Sequence, residues 1–166
     1  MRQAVVLGNP GTKRTVYLEK AAKETQISVA FLDWKDFTGQ DFPETWSGNQ
    51  RFLKIDPPVW TSCCLEELSR LTRDYEDQLK ALEALGKREN VRFLNEPCAI
   101  WQLLDKRNCK EKLQSLGIPV TQAINQHVNG WQQLLEAMER CHISQVFLKP
   151  VRGSGAAGIA AFRYQR

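Results

Sequence analysis

A short apolar run, Ala4–Leu7, stops at Gly8-Asn9-Pro10-Gly11, and a second run rich in apolar and β-branched residues follows at Ile27–Leu32. Between them Thr12 and Thr15 are each placed to cap a helix reaching about Glu24. Strand, helix and strand in this order open a parallel sheet. Such a sheet is covered on both faces, so the chain that follows must bring more strands and helices. It does so. Arg51–Asp56 predicts a strand stopped by Pro57-Pro58. Leu65, Leu68, Leu71, Tyr75, Leu79, Leu82 and Leu85 recur at helical spacing, which predicts a long helix with one core-facing stripe. Val91–Leu94 predicts another strand.

Beyond residue 95 the pattern changes. Asn95-Glu96-Pro97 reads as a helix start, with a short helix over Ala99–Leu104. Asp105 caps a second helix ending at Gly117-Ile118-Pro119. A strand is expected over Thr121–Val128, a helix over Trp131–Cys141 capped by Asn129, a strand over Val146–Leu148 and a returning strand over Ile159–Tyr164. The expected class is α/β, with a parallel-sheet domain over 1–95 and an α+β part over 96–166. The polar connection 35–50, with Gly39, Pro43 and Gly48, has the length of a functional or mobile loop.

Composition removes several classes. With 42% hydrophobic and 25% charged residues among 166, the chain is no disordered tail or fibrous repeat. No apolar run nears the roughly 20 residues of a membrane span, and the apolar start is too short for a signal peptide. The five cysteines, Cys63, Cys64, Cys98, Cys109 and Cys141, have no CxxC spacing. They read as buried apolar residues in a reducing, cytoplasmic setting. His127 and His142 read as structural or surface residues. Trp101 and Trp131 read as helix packing, and Trp34, Trp46 and Trp60 lie near loops that can line a cleft.

Charge is uneven. Residues 1–95 carry 14 basic and 14 acidic side chains, whereas 96–166 carry 9 and 5, so the net +4 lies in the second part. A local positive field favours an anion such as a nucleotide phosphate. Nucleic acid would need a denser basic stripe. Two places sharpen the point. Lys149 ends an apolar strand and is followed by Gly153-Ser154-Gly155-Ala156-Ala157-Gly158, where glycine amides can converge on an anion. Gly153 and Gly158 have Walker A spacing, but Ile159-Ala160 stands where Lys-Ser/Thr belongs. Lys106, at the positive end of its predicted helix, falls within about 60° of the stripe Cys109, Leu113 and Leu116, so it leans inward. Gly8-Asn9-Pro10-Gly11 lacks the glycine spacing of a dinucleotide fingerprint, although Asp33 sits near the acidic position.

Asp105-Lys106, ten residues, Gly117-Ile118-Pro119, and a strand ending Lys149-Pro150 before a Gly/Ser loop resemble the ATP-grasp superfamily of ligases. Asn95-Glu96-Pro97 with Ala99-Ile100, and the turn Lys54-Ile55-Asp56-Pro57-Pro58, are similar to its glutathione synthetase and ribosomal-protein glutamate ligase branch. The motifs cover 91–166, and residues 1–90 fit in outline as a Rossmann-like pre-ATP-grasp domain.

The resemblance implies an ATP site in which Lys106 and Lys149 bind phosphates and Gly153, Ser154, Gly155 and Gly158 form a flexible covering loop. It implies a small-molecule or peptide carboxylate and an amine as substrates, joined through an acyl phosphate, with no nucleic acid or membrane partner and room for a homodimer. Ala156-Ala157 makes the loop less polar than in many relatives. Magnesium ligands are expected beyond Arg166, which makes this chain an N-terminal portion expected not to turn over alone. The alternatives are a non-catalytic nucleotide-binding module and a dinucleotide-binding oxidoreductase domain.

Overall fold

The computed structural model describes residues 3–40, 42, 51–60, 64–124, 127–152 and 158–164. The chain divides into two compact units, Met1–Gln102 and Leu103–Arg166.

In the first unit β1 (Gln3–Gly8), β2 (Ser28–Asp33), β3 (Arg51–Ile55) and β4 (Val91–Phe93) form one sheet in the order β2-β1-β3-β4. All three pairings are parallel, with Val5 opposite Ala30 and Leu53. Helix α1 (Lys13–Glu24) links β1 to β2. Thr12 is its cap, its hydroxyl accepting from the Thr15 amide. Helix α2 (Leu65–Arg88) precedes β4. Val5, Val6, Leu7, Leu53 and Ile55 are buried on the sheet, and Tyr75, Leu79, Leu82 and Leu85 are buried on α2. The expected stripe is therefore fully buried from Tyr75 onward only: Leu68 and Leu71 are half-buried and Leu65 is exposed. Helical spacing defines a face but not how far the sheet beneath it extends. Gly86 is buried because β4 comes so close that a Cβ there would lie 2.4 Å from the Phe93 ring.

Asn95 extends the β3–β4 ladder by side chain. Its Oδ1 accepts from the Ile55 amide at 2.8 Å, and its Nδ2 donates to the Ile55 carbonyl at 2.6 Å. The chain then enters α3 (Pro97–Leu104).

The second unit contains α4 (Lys106–Ser115), α5 (Trp131–Arg140) and an antiparallel pair, β5 (Gln145–Leu148) with β6 (Ala160–Arg163). Leu134, Ala137 and Met138 of α5 are buried. The Trp131 ring meets Phe162 of β6 at 4.0 Å between centroids, so it packs on a strand rather than a helix. Gly130, not Asn129, occupies the α5 cap position, and Gln133 Oε1 accepts from the Asn129 amide. The strand expected over Thr121–Val128 is absent at its described residues, 121–124 and 127–128. A strand needs a ladder partner, and the described residues of this stretch pair with neither β5 nor β6.

The cysteine expectation also fails at the described positions. Cys64 and Cys98 are exposed, and Cys109 and Cys141 are half-buried, all as free thiols. Trp34 is a core residue: it is buried and donates Nε1–H to the Asp56 carbonyl at 2.7 Å. Trp46 and Cys63 lie outside the described residues. No described helix is long and apolar enough to cross a membrane.

Candidate functional site

The site begins at the N-terminus of α4. Asp105 is buried, and its Oδ1 accepts from the Arg107 and Asn108 amides at 3.1 and 3.0 Å. The Lys106 amide donates to the Val151 carbonyl at 2.9 Å. The Arg152 Nε donates to Asp105 Oδ2 at 3.3 Å, completing a bridge between Asp105 and Arg152. The start of α4 is thus fastened to the segment just after β5, which carries Lys149.

This corrects one part of the anion argument. A helix N-terminus attracts anions through unpaired amides. Here the amides of 106, 107 and 108 are already taken by Val151 and Asp105. What remains for an anion is side-chain charge, and two lysines provide it. Lys106 is half-buried, and its pKa lies below the ordinary lysine value. Burial is the larger cause, the positive charge of Lys149 the second, and Asp105 opposes both. Although 43 positions apart in sequence, the two lysines lie on segments joined by the Lys106–Val151 hydrogen bond, and the charge of Lys149 disfavours that of Lys106. Two like charges held together at an element end are stabilised by an anion between them.

The Lys149 surroundings differ from expectation. Lys149 is exposed, because β5 lies open to solvent: Phe147 keeps 60% of its surface, and the ammonium stands 5.7 Å from that ring. No burial penalty demands an anion here. Leu116, expected on the α4 stripe, is 66% exposed, while Cys109 and Leu113 are half-buried.

Asp105 carries the matching electrostatic signature. Hydrogen bonding from the Asn108 amide, with Arg152 and the Arg107 amide, holds its carboxyl below the usual carboxylate range against the opposing effect of burial. Arg152 was not singled out in the sequence. Its partner lies 47 residues away, and nothing local points to it. Of the glycine-rich turn, Gly158 is described: it is exposed and left-handed at φ 69. Gly153, Ser154 and Gly155, with the flexibility expected of them, lie outside the described residues.

In fold the chain is a mixed α/β protein of the kind seen in ATP-grasp ligases. Solved structures of the ATP-grasp ligase PsnB are similar to it over nearly its whole length. The complex with minimal precursor superposes at a TM-score of 0.63 with 15% identity, covering 99% of this chain and 57% of that one. The complex with minimal precursor, Mg and ADP gives 0.58 and 14%, covering 98% and 57%. The complex with precursor peptide PsnA2 and AMPPNP gives 0.58 and 15%, also covering 98% and 57%. The chain therefore spans less than two thirds of the length of these structures. No family model and no curated protein matches the sequence.

Proposed function

We propose that this chain carries the phosphate-binding part of an ATP-dependent carboxylate–amine ligase. The observation that carries the reading is the hydrogen bond from the Lys106 amide to the Val151 carbonyl, which sets the lysine-bearing start of α4 beside the segment that follows Lys149. In this reading residues 1–95 are the Rossmann-like pre-ATP-grasp domain, and 96–166 begin the ATP-grasp domain. Lys106 and Lys149 offset the charge of the nucleotide phosphates. Asp105 and Arg152 hold the two lysine-bearing segments together and touch no substrate. Gly153, Ser154, Gly155 and Gly158 close over the phosphates and exclude water.

The reaction joins a carboxylate to an amine in two displacements. A carboxylate oxygen attacks the γ-phosphorus of ATP, ADP leaves, and an acyl phosphate forms. The amine nitrogen then attacks the acyl carbon, inorganic phosphate leaves, and the nitrogen loses a proton as the amide forms. The lysines contribute positioning and charge, which dominate phosphoryl transfer. Mg accompanies ADP in one PsnB complex. The described residues of this chain hold no group of three or more His, Cys, Asp or Glu fitted to a metal, so no step is assigned to magnesium here. A peptide is the favoured carboxylate donor, since PsnB is seen with a precursor peptide.

Calorimetric titration with ATP tests the reading. Lys149→Ala and Lys106→Ala are each expected to weaken binding about tenfold, the loss of one charge-assisted contact. Unchanged affinity in both variants overturns the site, and binding of NADH without ATP favours the oxidoreductase alternative.

A further inference from the structure

The first unit holds a second polar cluster that the phosphate site does not use. Its sheet order, β2-β1-β3-β4, reverses between β1 and β3. In open parallel sheets ligands bind outside the carboxyl ends of the strands at such a reversal. Three strand ends meet there. Gly8 ends β1, Asp33 ends β2, and Asp56 follows β3 with its amide donating to the Leu7 carbonyl at 2.8 Å. Asp56 lies so close over Gly8 that a Cβ at residue 8 would stand 3.1 Å from its own Cβ. Asn9 ties the neighbouring segments together: its Nδ2 donates to Asp33 Oδ1 at 3.4 Å, and its Oδ1 accepts from the Val59 amide at 2.6 Å.

Two buried atoms in this cluster lack partners among the described residues. Asp56 retains 7% of its surface and Tyr75 1%. Asp56 Oδ1 is paired with the Lys54 ammonium, but Asp56 Oδ2 and the Tyr75 hydroxyl bond to nothing. A buried carboxylate oxygen without a donor costs several kcal/mol in general, so its retention calls for an occupant. The surroundings specify one. Tyr75 meets Trp34 at 5.4 Å and Trp60 at 5.9 Å between ring centroids, both edge-on. A buried carboxylate oxygen beside a hydroxyl favours a cation that carries N–H donors. The local field agrees in sign: after burial itself, the Asp56 charge helps to raise the Tyr75 pKa.

We propose that the carboxyl edge of the first sheet, where Asp56 and Tyr75 lie between Trp34 and Trp60 beside Asn9, binds the primary ammonium group of a small amine. The ammonium donates to Asp56 Oδ2 and to the Tyr75 hydroxyl, with Trp60 alongside. The irregular segment 57–60, which follows Asp56, is tied down by the Asn9–Val59 hydrogen bond. This inference lies wholly within the first unit and is independent of the nucleotide reading.

Methylammonium chloride is the probe, with tetramethylammonium chloride at equal ionic strength as the control without N–H donors. Binding is read from tryptophan fluorescence and confirmed by calorimetry. Wild type should show a saturable response to methylammonium and none to tetramethylammonium. Asp56→Asn should weaken it about tenfold, the value of a charged hydrogen bond, and Tyr75→Phe should weaken it less. Lys54→Met removes the competing ammonium from Asp56 and should tighten binding. This variant also serves where Asp56→Asn fails to fold, because Lys54 is partly exposed. No saturable response in wild type, an equal response to both salts, or a Lys54→Met variant that binds no better each overturns the proposal in favour of an ordered water at Asp56.

Discussion

The two units solve the burial problem differently. Of the sixteen buried apolar side chains among the described residues, thirteen lie in the first unit, and the other three all belong to α5. A four-stranded parallel sheet with long α2 gives the first unit a continuous interior. The second has a two-stranded pair that leaves Phe147, Leu148, Val151 and Ile159 exposed and an α4 with no buried residue. Its order rests more on polar ties: the Asp105 cap, the Asp105–Arg152 pair and the Lys106–Val151 hydrogen bond. The proposed phosphate site sits in the polar-tied unit and the proposed amine site at the edge of the packed one. Stability and function should therefore respond to different residues.

The sharpest test of that contrast is truncation in each unit. Leu82→Ala removes a fully buried side chain and is expected to lower unfolding free energy by about 2–5 kcal/mol. Leu116→Ala removes an exposed one and should stay within about 0.5 kcal/mol. Urea denaturation followed by circular dichroism measures both, and comparable losses would end the contrast. A smaller effect is expected at Gly86, where an added Cβ overlaps the Phe93 ring. Overpacking costs about 1–3 kcal/mol, and alanine recovers about 1 kcal/mol of helix propensity. Gly86→Ala should thus destabilise by up to about 2 kcal/mol, and in a Phe93→Ala background, with the ring gone, the same substitution should cost nothing.

The polar ties have their own test. Asp105→Ala removes the α4 cap and leaves Arg152 without its carboxylate, at an expected cost of about 1 kcal/mol. The Asp105 pKa is depressed, so its contribution is complete above the unfolded carboxylate value and fades as pH falls through the folded one. Wild type should lose stability on acidification over that window, and Asp105→Ala should lose less. An identical acid profile in the two proteins would remove Asp105 from the account.

Local signals were legible and partners were not. Thr12 and Asp105 cap their helices as their spacing predicts, because a cap involves residues two or three apart. The central strands β1 and β3 were legible because they carry the buried apolar residues Val5, Val6, Leu7, Leu53 and Ile55, and the edge strands β2 and β4 because they too are short apolar runs. Asn95 clasps Ile55 from 40 residues away and Arg152 meets Asp105 from 47, and neither pairing leaves a local pattern. The same limit explains Thr121–Val128, whose described residues have no neighbouring strand, and Lys149, whose apolar strand lies open to solvent. The closing of the α4 terminus by Val151 and Asp105 was not legible either, because Val151 too lies far along the chain.

The smallest expected effect concerns the lysine pair. Phosphate binding needs Lys106 charged, and burial together with Lys149 makes that charge harder to keep. As pH rises through the lowered pKa, Lys106 loses its proton before an ordinary lysine does. ATP affinity should therefore fall a few-fold at alkaline pH, earlier than two unperturbed lysines would allow. The stability effect has the opposite sign. A lysine whose folded pKa is depressed weakens the fold while charged, so the second unit should gain slightly as pH rises through that value. Replacing Lys149 with Gln separates the two influences. Affinity at neutral pH drops, because one cation is gone, yet the remaining pH dependence moves upward, because Lys106 no longer faces a like charge. Titrations of ATP across the alkaline range in wild type and Lys149→Gln measure this, and a profile that does not move would show that the two ammonium groups act apart.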